Sequence, residues 1–99
     1  MINYTIKHDP FFTKKYKKII AKLPKDIYDL WVVDSIVLAG GAIRSYFENK
    51  EPRDLDFFCI DQKIFDQCNS ILLNAEFIPY LKEINFCKYK KNNLEVDIV

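Results

Sequence analysis

Glycine is nearly absent: the 99-residue chain has two, and they stand together at Gly40-Gly41. In a chain this poor in glycine, an adjacent pair marks a placed backbone feature, a point that tolerates no side chain. Histidine is scarcer still, with His8 alone and no partner for it by spacing. The three cysteines, Cys59, Cys68 and Cys87, are odd in number, widely separated and without a CxxC pair. These scarcities exclude a Cys/His zinc site and a disulfide framework. Each cysteine lies among apolar neighbours and reads as a buried thiol of a reducing compartment. No apolar run approaches the ~18 residues of a membrane-crossing helix, and no signal-peptide pattern opens the chain. A soluble, cytoplasmic protein with no membrane partner is expected.

What is present is core material. Apolar residues make up 49% of the chain and charged residues 29%, which excludes a disordered tail. Eight Phe, six Tyr and Trp31 supply bulk. A chain of this size makes one domain and buries roughly two thirds of its unfolded surface. The net charge of +1 conceals an asymmetry: residues 1–50 carry nine basic and five acidic side chains, residues 51–99 six and nine. The first half suits phosphate and the second a cation, although chance also produces such asymmetry.

Asp9-Pro10 reads as an N-cap followed by proline at the first helical position. From Phe11 to Leu23, Phe12, Tyr16, Ile19, Ile20 and Leu23 form one helical stripe. Lys14, Lys15, Lys17, Lys18 and Lys22 occupy the other side and, with Lys25, form a solvated face or a contact for a polynucleotide backbone. Pro24 ends this helix and opens a short second one to Leu30. Ser35–Ala39 is a short apolar strand running into Gly40-Gly41, and Ala42–Asn49 a helix. Lys50–Arg53 is a loop, Leu55–Ile60 a second strand, and Asp61 caps a helix running to about Ala75. Phe77–Tyr80, Ile84–Tyr89 and Leu94–Val99 read as strands, the last two joined by the polar turn Lys91-Asn92-Asn93. The order αα-β-α-β-α-β-β-β predicts an α/β (α+β) fold, a mixed sheet flanked by helices.

Two features carry chemistry. A strand, a Gly-Gly pair and a helix form a cradle for phosphate, because glycine lets backbone N–H groups approach an anion and the helix start adds partial positive charge. A tight turn with no ligand has the same pattern. The second feature is Asp54-Leu55-Asp56. Residues two apart on a strand share a face, and two carboxylates held together repel unless a cation joins them. A hard divalent ion such as Mg²⁺ fits an oxygen-only ligand set, and a pair of such ions can clamp an in-line phosphoryl displacement. Asp97 lies between Val96 and Ile98, and reaches the same cluster if its strand lies beside that of Asp54 and Asp56. Glu95, two residues earlier on the same face, is a weaker candidate.

Gly40-Gly41, a dozen residues, Asp54-Leu55-Asp56 and a later strand carboxylate together resemble the nucleotidyltransferase superfamily, the DNA polymerase β-like fold. More narrowly, LAGGAIRSYFENKEPRDLDFF is similar to the head domain of class II tRNA nucleotidyltransferases and bacterial poly(A) polymerases. The likeness covers residues 35–60 well and 94–99 loosely. It implies an enzyme that moves a nucleoside monophosphate from an NTP to a hydroxyl acceptor, with an RNA 3′ end among the candidates. It also implies Asp54, Asp56 and Asp97 as catalytic metal ligands for two Mg²⁺ ions (or Mn²⁺). Gly40, Gly41, Arg44 and Arg53 are implied as nucleotide-binding. Ser45 departs from the family's aspartate, the helix lacks its leucines, and no neck or RNA-holding domain follows. Residues 1–99 are therefore expected to be a single minimal catalytic domain or the N-terminal part of a longer chain. The alternative is a non-catalytic nucleotide- or partner-binding module of the same fold, such as the antitoxin half of a toxin–antitoxin pair.

Overall fold

A computed structural model describes residues 11, 14, 16–39, 44, 45, 48 and 54–99. Two helices, α1 (Lys17–Ile20) and α2 (Lys25–Val32), lead into strand β1 (Ile36–Ala39). Strand β2 (Asp54–Cys59) is followed by helix α3 (Gln62–Asn74) and by β3 (Ile78–Glu83), β4 (Phe86–Lys91) and β5 (Leu94–Ile98). The five strands form one mixed sheet in the order β1-β2-β5-β4-β3. β5 runs parallel to β2; the other neighbours are antiparallel. The α+β class and the helix-flanked mixed sheet are as the sequence predicts. The expected N-cap at Asp9-Pro10, most of the helix over 42–49 and the loop over 50–53 lie outside the described residues.

The short periods of the sequence explain the layers. On β2, Leu55 and Phe57 point one way; beside them on β5 stand Val96 and Ile98, and next on β4 Cys87 and Tyr89. All six are buried. Tyr16, Ile19, Leu23, Ile27 and Trp31 of the N-terminal helices, and Phe65, Cys68 and Leu72 of α3, close over this apolar face in one core. The Trp31 ring meets Phe57 edge-on, centroids 6.0 Å apart. Burying each such aromatic contributes about 2–3 kcal/mol. Among the described residues no helix is long and apolar enough to cross a membrane.

The helix ends compensate for missing glycine. α2 and α3 both close in Schellman motifs. Ser35 N–H donates to Leu30 O and Asp34 N–H to Trp31 O, while Phe77 N–H donates to Leu72 O and Glu76 N–H to Leu73 O. The left-handed position falls to Asp34 (φ 63°) in one and Glu76 (φ 67°) in the other, at a cost of roughly 1 kcal/mol each relative to glycine. Asp61 caps α3 as expected, its Oδ1 accepting from Ile64 N–H at 2.8 Å. At the far end Lys91 Nζ donates to Ala75 O at 2.7 Å, a cation on the negative end of the helix.

Several boundaries move. The first helix is regular only to Ile20 and passes through turns before Pro24, which disfavours helical backbone at Leu23. α2 runs to Val32 rather than Leu30, as the Schellman closure at Asp34 permits. The expected strand over 84–89 begins at Phe86, because Ile84 and Asn85 form the β3–β4 turn and leave Ile84 88% exposed. β3 is correspondingly longer, and its register shifts between Pro79 and Leu81. The thiols of Cys68 and Cys87 are buried and that of Cys59 is half-buried, all three free.

Candidate functional site

The residues that alternate with the core side chains line the opposite, charged face of the sheet. Asp54 and Asp56 share that face because they are two apart on β2. Strand β5 then matters: it lies next to β2, and its parallel register sets Asp97 beside Asp56 and Glu95 beside Asp54. One carboxylate oxygen from each of Asp54, Asp56 and Asp97 lies within 4.8 Å of the others. The structure thus brings together three residues separated by 43 positions in the chain.

The three carboxylates are not equivalent. Asp54 and Asp56 are half-buried, while Asp97 is 6% exposed. Its Oδ1 is buried without a hydrogen-bond partner among the described residues. Its Oδ2 faces Lys88 Nζ at 3.4 Å, longer than the 2.7–2.9 Å of a close charged pair. An orphaned buried carboxylate oxygen is costly and calls for a partner.

Lys88 was invisible to motif reading, yet its place follows from a local rule. The two-residue turn Asn92-Asn93, with Asn92 at φ 55°, pairs Lys91 with Leu94. Counting back along the antiparallel ladder pairs Lys88 with Asp97. The Lys88 ammonium also stands 5.4 Å from the centre of the Phe86 ring, two residues away on the same face. The negative charge of Asp97, with smaller contributions from Tyr80 and Asp56, holds the Lys88 pKa above its ordinary value. Burial and the neighbouring Glu95 push the Tyr80 hydroxyl up as well. Tyr80 and Glu95 also line a cleft of ≈ 600 Å³ with Ile78, Lys90 and Asn92.

The donor set suits a hard divalent cation, which takes carboxylate oxygens and fills its remaining positions with water or a ligand's oxygens. Opposed oxygens of one Mg²⁺ lie about 4.2 Å apart, so small side-chain rotations bring the cluster onto an ion. Asp97 Oδ1 is the strongest single sign of fit.

The other expected site residues stand differently. Arg44 is exposed, and its Nε pairs with Glu48 at 3.4 Å. Gly40, Gly41 and Arg53 lie outside the described residues. Lys14, Lys17, Lys18, Lys22 and Lys25 are exposed, Lys25 pairs with Asp29 at 2.8 Å, and Lys15 lies outside the described residues.

Comparison with known proteins corrects the functional expectation. The family model described as Gad2, Gabija anti-defense 2 family protein, matches residues 10–97. No curated protein and no solved structure matches. The match spans nearly the whole chain and points away from the nucleotidyltransferases, whose likeness rested on residues 35–60 and loosely on 94–99. It overturns the reading of the chain as a nucleotidyl-transferring enzyme, together with the ATP-binding and RNA roles attached to that reading. Carboxylates two apart on a strand, with a third on its parallel neighbour, satisfy a cation's need for oxygen ligands; they do not specify a reaction.

Proposed function

The chain belongs to the Gabija anti-defense 2 family, and on that premise we propose that it is a non-catalytic inhibitor that disables a Gabija defense by binding one of its components. The family match over residues 10–97 carries this reading. The binding element is the charged face of the sheet, with Asp54, Asp56 and Asp97 holding Mg²⁺, or Mn²⁺ in its place. The bound ion supplies a positive coordination point for an oxygen of the partner. The chain's own residues do the rest: β2 and β5 fix the carboxylates on a rigid sheet, and Asp97 anchors the ion from its buried position. The orphaned Asp97 Oδ1 supports the cation part of the reading.

The test is expression of the chain in cells that carry a Gabija defense, challenged with an agent that the defense restricts. Loss of protection is expected, with co-purification of the chain and a tagged defense component. Full protection in the presence of folded chain overturns the anti-defense reading. Asp54→Asn and Asp56→Asn variants are expected to fold, to lose Mg²⁺ binding by calorimetry and to lose the effect. Undiminished effect in both variants removes the cation from the mechanism and leaves the family reading intact.

A further inference from the structure

Lys88 and a divalent cation compete for the same carboxylate, and we infer that Lys88 is the built-in counter-ion of the Asp97 site, a positioning residue that sets cation affinity by withdrawing from Asp97 when the ion enters. The inference rests on the cation reading of Asp54, Asp56 and Asp97.

Three observations carry it. First, three carboxylates within 4.8 Å need positive charge whenever no ion is bound. Lys88 is the lysine that β4 sets in register with Asp97, its ammonium facing Oδ2 at 3.4 Å. Second, the pair is loose. At 3.4 Å it lacks a close charged hydrogen bond, and it leaves Asp97 Oδ1 unsatisfied. A lysine offers one point charge on a flexible stem, whereas a divalent ion engages several oxygens at once. The ion therefore satisfies what Lys88 cannot. Third, the ammonium has somewhere to go. The Phe86 ring lies 5.4 Å from the same ammonium, so a cation–π contact remains when the carboxylate is given up. The Lys88 side chain is one-third exposed, so withdrawal toward Phe86 opens no sealed core.

The site thus has two closed states, one neutralised by the ammonium and one by the ion. The ammonium offsets the charge of Asp97 through Oδ2 alone, whereas the ion would also engage Oδ1.

The test is Mn²⁺ titration by calorimetry of the wild type, Lys88→Met and Lys88→Arg, with melting temperatures measured with and without Mn²⁺. Methionine keeps the apolar stem and removes the charge; arginine keeps the charge. Lys88→Met is expected to bind Mn²⁺ about tenfold tighter, since a like charge beside the ligands is gone and solvent screens the remainder. It is also expected to melt lower than the wild type without Mn²⁺ and to regain the difference when Mn²⁺ is added. Lys88→Arg should stay near the wild type in both respects. Equal or weaker binding by a folded Lys88→Met, with normal wild-type binding, overturns the role of Lys88 and leaves the cation site standing. Absence of Mn²⁺ binding in all three proteins overturns both. Independently of any variant folding, the Lys88 ε-methylene NMR signal of the wild type should shift in step with Mg²⁺ saturation. A signal that stays fixed through saturation sinks the inference.

Discussion

The two faces of the same five strands obey opposite rules. On the apolar face, Phe57, Val96, Ile98 and Tyr89 are fully buried beneath α2 and α3. Satisfaction there comes from packing. One position along the same strands, Asp56, Asp97 and Lys88 form the charged face, where satisfaction comes from charge balance. Asp97 unites the rules, being almost as buried as its apolar neighbours while carrying a charge. The difference teaches where change is tolerated. The apolar face sustains the fold and leaves no freedom, whereas the charged face stores an electrostatic conflict that a ligand can relieve.

The strongest break of this contrast is Phe57→Ala. It empties the centre of the core against Trp31 and is expected to cost about 3–5 kcal/mol by urea denaturation. A loss below about 1 kcal/mol would show that the core is not organised around this contact. Tyr89→Phe should cost less, about 1 kcal/mol at neutral pH, because it removes the hydroxyl that donates to Asn69 Oδ1 and leaves the ring in place.

The Tyr89 change also carries a pH signature. Burial raises the Tyr89 pKa to about 12 from an ordinary value of 10. The folded state therefore holds this proton more tightly than the unfolded chain. The resulting stability is complete below pH 10 and is lost progressively as pH rises toward 12. Tyr89→Phe should flatten that alkaline decline, and an unchanged decline would assign it to other groups.

Glu76→Gly acts on neither face, only on a helix end. It should stabilise by roughly 0.5–1 kcal/mol, since glycine adopts the left-handed position without the Cβ penalty. Thermal melts check the sign. Smallest in stability is Asp97→Asn, expected to shift it by less than about 1 kcal/mol, because lost attraction to Lys88 offsets relief from Asp54 and Asp56. Its effect on Mn²⁺ binding should be complete. If Asp97→Asn proves as damaging as Phe57→Ala, the distinction between the faces collapses.

Much of this was legible beforehand, for identifiable reasons. Asp61 has the side chain of a cap, and α3 has an uninterrupted stripe, so its start and length could be read closely. The polar turn read at Lys91-Asn92-Asn93 located the last hairpin, although Lys91 itself closes β4. The β3–β4 turn was misjudged because Ile84 has a strand former's side chain while hairpin geometry sends it into solvent. The acidic cluster could be named, but its purpose could not. The residue types that hold a cation for a reaction can equally serve a binding face, and the family match over residues 10–97 sets aside the nucleotidyl-transfer reading.

Periodicity and punctuation by themselves determined the α+β class, the starts of α2 and α3 and the same-face placement of Asp54 and Asp56. These depend on backbone geometry that repeats every two or 3.6 residues. Only the tertiary structure decided that β5 inserts between β2 and β4, that Asp97 is buried beside Asp56, and that Lys88 is its counter-charge. Strand order is set by which apolar faces close together over one core, a sum over the whole chain that no local segment contains.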